Sequence, residues 1–298
     1  MIIYDTIRKY SERFNNKTPH PLINFVDLNK GAPLARTRFR LDFYAIVIKE
    51  TNCGDLRYGN RYYDYSEGTV LFFAPNQVVI NEPEGEIHQP YGKALIFHPD
   101  LIKGTSLGKQ IHEYSFFSYQ SNEALHLSDS ERGIVDNCFG NIATEITQNI
   151  DRHSKKLIVA NLELLLNYCS RFYERQFITR EHVNQGILEQ FDQKLNGYLR
   201  SEMLQTNGIP GVAHFAGELN LSANYFGDLI KKETGKTALE YIQLQLLDLA
   251  KERIFDTTKS VSEVSYELGF KYPQHFTRFF KQKVGVSPNE YRGLKVKE

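Results

Sequence analysis

Val264-Ser265-Tyr266-Glu267-Leu268-Gly269-Phe270, then Pro273-Gln274-His275-Phe276-Thr277-Arg278-Phe279-Phe280-Lys281, then Gly285, reads as a helix, a sharp turn and a second helix. Val261, Val264 and Leu268 fall on one helical face at i, i+3 and i+7. Ser260 and Glu263 form a capping box: the hydroxyl takes an orphan N–H of the first turn, and the carboxylate reaches back to the cap. Gly269 is where this helix should stop, because glycine tolerates the left-handed conformation after a helix end. Phe270 then plugs the angle between helices, and Pro273 suits a first helical turn, where its missing N–H would be unpaired anyway. Phe276, Phe279 and Phe280 give the second helix its buried face. Gly285 ends it, and Ser287-Pro288-Asn289-Glu290 opens another.

The same pattern stands earlier in the chain. Phe226, Ile230, Lys231, Gly235, Thr237, Glu240 and Tyr241 match Phe276, Phe280, Lys281, Gly285, Ser287, Glu290 and Tyr291, each pair 50 residues apart. Val212, Phe215, Ala216, Glu218 and Leu219 match Val261, Val264, Ser265, Glu267 and Leu268 at an offset of 49. One residue is gained in the turn, which in the first copy is Asn220-Leu221, with Ser222 capping the next helix. Thr237-Ala238-Leu239-Glu240 then opens a long helix through Leu246, Ala250 and Ile254 that joins the copies. Two short helices around a glycine also occur in ordinary bundles. Repetition in register instead marks one supersecondary unit used twice. Two such units about 34 Å apart can enter successive major grooves of one DNA duplex.

The run from Val264 to Arg292 resembles the signature of the AraC/XylS family of bacterial transcription regulators, and the likeness extends over about 183–294. Ser265 stands where the family often has alanine, and the stretch 243–247 lacks the arginine commonly seen before Ala250. The resemblance implies a double helix-turn-helix that binds double-stranded operator DNA, and a contact with RNA polymerase.

Helical geometry selects the candidate base readers. Residues clear of the apolar stripes are Ala223, Asn224, Gly227 and Asp228 in the first unit, and Gln274, His275 and Arg278 in the second. They also match the positions the family uses on DNA. Asn224 and Gln274 suit adenine, and Arg278 suits guanine. Asp228 either accepts from cytosine or orients a neighbouring cation. Gly227 lets the backbone come close. Ser222, Lys231, Lys232, Lys281 and Lys283 suit phosphates, with solvated charge as the plain alternative for the lysines.

Charges balance at 36 basic and 36 acidic residues, so net charge gives no hint of nucleic acid. The exception is 268–298, with seven basic residues (Lys271, Arg278, Lys281, Lys283, Arg292, Lys295, Lys297) against Glu290 and Glu298. That footprint is modest, so specificity must come from base edges and shape. Cys53, Cys138 and Cys169 are odd in number and far apart, as in a reduced protein. Neither a signal peptide nor a membrane-spanning run is present, and a cytoplasmic location is expected.

The first half changes period. Residues 41–48 read as a buried strand, with more expected at 56–58, 62–65, 69–73, 77–80 and 93–97, separated by turn signals such as Glu67-Gly68, Pro75-Asn76 and Tyr91-Gly92. Short strands at this spacing suggest an antiparallel sandwich or barrel. The family resemblance, weaker here, implies a cupin-like β-barrel. The expected fold is α+β: a cupin-like barrel over 1–127, a helical hairpin over 128–176, a linker over 177–186 and an all-α DNA-binding domain over 187–298.

The hairpin starts at the capping box Ser128-Asp129-Ser130-Glu131 and carries two apolar stripes, Ile134 to Ile146 and Leu157 to Phe172. The resemblance implies homodimerisation through it; the alternative is that both stripes are covered within one chain. Aromatics of the first half, Tyr44, Tyr58, Tyr63 and Phe72 among them, either line a pocket for a small-molecule effector or fill a small core. Catalysis is not expected. His88 has no second histidine at cupin metal spacing, and no nucleophile elbow, phosphate loop or dinucleotide fingerprint is present. No metal or cofactor is expected. The competing function class is a cupin-type enzyme or carbohydrate-binding module with a helical assembly tail.

Overall fold

Period-two alternation organises the first half of the computed structural model. Residues 1–35, 37–49, 57–58, 61–62, 68–81, 87–148, 151–179 and 181–294 are described, in two units, Met1–Thr179 and Arg180–Glu298. The strands are β1 (Ile2–Tyr4), β2 (Ile23–Asp27), β3 (Leu34–Ala35), β4 (Thr37–Leu41), β5 (Tyr44–Lys49), β6 (Arg57–Tyr58), β7 (Arg61–Tyr62), β8 (Thr69–Phe73), β9 (Val78–Asn81), β10 (Ile87–His88), β11 (Lys93–Phe97) and β12 (Leu125–His126). A five-stranded antiparallel sheet has the order β12-β8-β5-β11-β2, and a three-stranded one the order β1-β4-β9.

Register decides which side chains meet. Ala45 lies opposite Phe73 and Ile96, and Val47 opposite Leu71 and Ala94. These join Tyr4, Leu41 and Phe43 in one core between the two sheets. The other face of the five-stranded sheet carries Phe25, Tyr44, Phe72 and Phe97. It is covered by α4 (Asp129–Thr147), α5 (Ser154–Thr179) and the segment before them, with Phe25 5.0 Å from Phe139 and Phe72 4.4 Å from Phe116. Three shorter helices, α1 (Ile7–Arg13), α2 (Pro99–Ile102) and α3 (Ser106–Gln110), precede that pair.

Two expectations change. Residues 41–48 are not one strand: Asp42 and Phe43 separate β4 from β5, and the chain passes there from one sheet to the other. Among the described residues the sheets do not close into a barrel. Two sheets facing each other over a shared core already bury their apolar faces, so burial does not demand closure. The expected strand over 62–65 is described only as far as Tyr62, and Cys53 lies outside the described residues.

The capping box before α4 forms as expected: Ser128 N donates to Glu131 at 2.9 Å, and Glu131 N to Ser128 Oγ at 3.4 Å. Glu131 also holds Arg175 of α5. Gln176 bridges α5 to β12, accepting from His126 N at 2.8 Å and donating to the Ala124 carbonyl at 3.1 Å. These bonds lock the last turns of α5 to the sheet. Leu162, Leu165, Leu166 and Cys169 are fully buried, and burial pushes the Cys169 thiol far up. Leu157, placed with the inward stripe from sequence, is 45% exposed, as is Leu164 at 46%.

The second unit is helical throughout: α6 (Glu181–Arg200), α7 (Glu202–Asn207), α8 (Val212–Glu218), α9 (Ala223–Thr234), α10 (Ala238–Ile254), α11 (Val261–Glu267), α12 (Pro273–Val284) and α13 (Pro288–Leu294). Residues 177–186, polar and read as a linker, are helical up to Thr179 and again from Glu181. Polar residues such as Glu and Gln are good helix formers, and they outweigh Gly186 and the weaker formers His182, Val183 and Asn184. The stretch from Met203 lies in α7, whose cap is Ser201, accepting from Met203 N at 3.2 Å.

Candidate nucleic-acid interface

Each helix-turn-helix is set by its turn. In the first, Leu221 N donates to the Ala216 carbonyl at 2.9 Å; in the second, Phe270 N donates to the Ser265 carbonyl at 3.1 Å. Donors and acceptors are each 49 residues apart, so the repeat extends to individual hydrogen bonds. Between them stands one left-handed residue, Asn220 at φ 55° and Gly269 at φ 80°. Asparagine tolerates that conformation through its short polar side chain, and glycine through having none.

The second helix of each unit is pinned from beneath. Phe226, Leu229 and Ile230 are buried on α9, Phe276 and Phe280 on α12. Phe191 of α6 meets Phe215 at 5.2 Å and Phe226 at 5.0 Å, both edge to face. Phe270 plugs the second angle, 5.3 Å from Phe276 and 5.6 Å from Phe279. Burying a side chain of this size stabilises by about 1.5–3 kcal/mol, enough to fix the orientation of so short a helix. Both helices end at glycines with φ of 71° and 92°, and both closing bonds, Gly235 N to Lys231 O and Gly285 N to Lys281 O, are 2.9 Å.

With these faces buried, the expected readers point outward. Ala223, Asn224, Gln274, His275 and Arg278 are exposed; Gly227 and Asp228 are half-buried. Asn224, Asp228 and Lys231 follow at i, i+4 and i+7 along α9. Gln274, Arg278 and Lys281 do the same along α12, 50 residues on. Lys231, Lys232, Lys281 and Lys283 are all exposed, and Ser222 caps α9, accepting from Tyr225 N at 3.2 Å. The Glu240 carboxyl, bonded twice by Thr237 at the start of α10, is held below the usual carboxylate range by those bonds, with smaller help from Lys283 and Lys231. Glu290, bonded by Ser287, is lowered likewise, with Lys281 contributing.

Two residues depart from the sequence reading. Arg292, counted in the basic footprint, turns inward: its Nε donates to the Ile254 carbonyl at 2.6 Å and a terminal nitrogen to the Lys259 carbonyl at 3.0 Å. It therefore closes the C-terminal end of α10 rather than facing solvent. Tyr272, not singled out from sequence, is 54% exposed at the start of α12, its ring edge-on to His275 at 5.4 Å. The signal was its place in the repeat, since it stands at the slot that Ser222 holds in the first unit, but makes no side-chain cap bond.

The family model described as "Helix-turn-helix domain" matches residues 215–293. The arabinose operon regulatory protein of Escherichia coli (strain K12) is 23% identical over 233 residues, 76% of this chain and 72% of that one. This chain carries an AraC-type helix-turn-helix region. The AraC type is a family of regulators and not of enzymes. Its likeness to YfiF of Bacillus subtilis (strain 168), an uncharacterized HTH-type transcriptional regulator, is 26% identity over 141 residues, 47% of this chain and 41% of that one. The chain spans between 30% and 56% of the length of the first three curated relatives it matches. The C-terminal domain of AraT, a response regulator from Geobacillus stearothermophilus, aligns with 36% of this AraC-type chain and 84% of its own, at 24% identity and a TM-score of 0.33.

The first unit of this AraC-type chain holds a cavity of about 730 Å³ between its two larger sheets. Ala45, Val47, Leu71 and Phe73 line it, the odd-numbered face of β5 and β8. The effector candidates fall elsewhere. Tyr44 stacks on Phe97 at 4.9 Å and Phe72 packs on Phe116, both on the opposite, helix-covered face. Tyr58 lies in β6, and Tyr63 lies outside the described residues. Tyr4 and Tyr10 do line the cavity. Burial raises the Tyr4 hydroxyl, against the opposing pull of the Arg13 guanidinium, and raises Tyr10 further. Among the described residues no group of three or more His, Cys, Asp or Glu could hold a metal ion, and no helix is long and apolar enough to cross a membrane.

Proposed function

We propose that this protein regulates transcription by binding a specific operator with α9 and α12 in successive major grooves of one duplex. The observation that carries this reading is the pair of outward stripes, Asn224-Asp228-Lys231 and Gln274-Arg278-Lys281, held on two helices whose turns and closing glycines repeat bond for bond. Asn224, Gln274 and Arg278 have the donor and acceptor sets that pair with adenine and guanine edges. Ala223, Gly227 and His275 complete the readers, Asp228 sets a negative charge among them, and Ser222 with the four lysines faces phosphates. The inter-sheet cavity, in what we read as an open form of the cupin-like barrel, holds a small effector that shifts the balance between DNA-competent and incompetent states. The chain pairs with a second copy through 128–176, where Leu157 and Leu164 stand exposed on one face of α5.

The test is selection of random duplex DNA by the full chain, with excess competitor at near-physiological salt. An enriched motif of two blocks about one helical turn apart is expected. No enrichment, by the full chain or by 183–298, would sink the reading and leave the repeat as an assembly module. Enrichment by 183–298 alone would mean that the first unit holds DNA binding off until its effector arrives.

A further inference from the structure

We infer that Tyr272 is a further specificity-determining residue of the second unit: its ring meets a thymine methyl in the major groove, beside the base edge that Gln274 contacts. The inference rests on the reading of α12 as a DNA-binding helix. Tyr272 stands at the cap of α12 and is 54% exposed. That slot suits a short side chain whose oxygen takes an orphan N–H of the first turn. Ser222 does this in the first unit, accepting from Tyr225 N at 3.2 Å, whereas Tyr272 makes no side-chain cap bond. The helix starts without its help: Pro273 has no N–H to satisfy, and His275 N donates to the Tyr272 carbonyl at 3.0 Å. The ring touches His275, itself exposed, edge-on at 5.4 Å. It neither caps the helix nor fills a core.

The surroundings choose the contact. A recognition helix meets base edges with the residues of its N-terminal end, which is where Tyr272, Gln274 and His275 stand exposed. Lys271, also exposed, precedes them and carries the charge that suits a phosphate; the phenol ring carries none. In a groove lined with hydrogen-bond donors and acceptors, a ring offers apolar surface. The apolar feature of the major groove is the C5-methyl group of thymine. Tyr272 and His275 together make one aromatic patch of the size that covers such a group. In the first unit the matching positions hold Ser222 and Tyr225: the serine is taken up by the cap, and the tyrosine is buried. Methyl reading at the helix start therefore belongs to the second unit alone, and it gives the two halves of the operator different demands.

The test uses the full chain and its selected operator, with each thymine replaced in turn by deoxyuridine, which pairs alike and lacks the methyl. Competition binding at fixed salt should find one thymine whose methyl raises affinity about fourfold, the factor for burying one such group. Tyr272→Phe should keep that sensitivity. Tyr272→Ser should bind the thymine and deoxyuridine operators equally and melt no lower than the unaltered protein, because serine restores the cap of the first unit. Deoxyuridine substitution without effect on the unaltered protein would overturn the assignment and leave the DNA-binding reading standing. Methyl sensitivity that survives in Tyr272→Ser would overturn it too, as would sensitivity lost in Tyr272→Phe, which would make the hydroxyl the contact. Loss of folding in Tyr272→Ser would make the ring a structural group and have the same effect. Selection of no operator at all would instead remove the reading of α12 as a DNA-binding helix, and this assignment with it.

Discussion

The two helix-turn-helix units share a skeleton and differ in what they show to the outside. Their turns close with the same bond, from Leu221 to Ala216 and from Phe270 to Ser265, and their second helices end with the same bond to a left-handed glycine. Yet the outward position held by Asp228 in one is held by Arg278 in the other, and the helix entry held by Ser222 is held by Tyr272. Inward positions answer to packing on a backbone geometry that the two copies share. Outward positions answer to a partner, and a DNA site with two different halves would require them to diverge. Two of the inward differences lie at the turn, and each gives a way to test how far the likeness goes.

The larger inward difference is at the turn. Gly269 is not only left-handed: a Cβ there would stand 2.5 Å from the Leu204 carbonyl oxygen and 3.0 Å from Gly208 Cα. The turn of the second unit thus backs directly onto the end of α7, ahead of the first. Gly269→Ala adds a left-handed penalty of about 1–2 kcal/mol to a collision with backbone that cannot step aside, about 3 kcal/mol or more together. Asn220 already carries a Cβ, so Asn220→Ala adds a conformational cost of about 1 kcal/mol and no such collision. Calorimetric melting of the full chain should show the Gly269 variant losing far more than the Asn220 variant. Equal losses would mean that the two turns are alike in surroundings as well as in φ.

The outward difference comes next in size. Arg278→Ala should lose about 1–3 kcal/mol of discrimination at one or two base pairs of the selected operator, with little change on unrelated DNA. Asp228→Asn should tighten binding to every sequence by a smaller factor, because it removes a negative charge near phosphates. Competition binding at fixed salt reads both. A uniform loss in the Arg278 variant would make it a phosphate contact, and a base-specific loss in the Asp228 variant would make Asp228 a reader. Either result would redraw the contrast between the two stripes.

Much of this was legible in the sequence because helix punctuation is local. The boxes at Ser128, Thr237, Ser260 and Ser287 and the stops at Gly235, Gly269 and Gly285 each depend on a few neighbouring residues, and all appear in the structure. The strands Thr69–Phe73 and Lys93–Phe97 were legible for the same reason. Facing was not. Nothing in the order of Tyr44-Ala45 says which of the two looks into a cavity and which into a helix; that depends on register with Phe72 and Phe73, set by distant pairing. Arg292 escaped for a related reason. Its role depends on what lies opposite it, the end of α10.

The smaller inward difference is a single oxygen. Ser265 corresponds to Ala216, 49 residues earlier, and both sit fully buried behind the turn that their carbonyls close. The Ser265 hydroxyl has no hydrogen-bond partner among the described residues. A buried donor left unmet costs about 1–3 kcal/mol, while the methyl of alanine fits the same space. Ser265→Ala should therefore stabilise the second unit by about 1 kcal/mol and raise its melting temperature by roughly 4 °C. The reverse change, Ala216→Ser, should destabilise the first unit by a similar amount. If Ser265→Ala lowered the melting temperature instead, the hydroxyl would be satisfied by a water or a neighbour that the first unit lacks. The two turns would then differ in hydration even though their backbones close with the same bond.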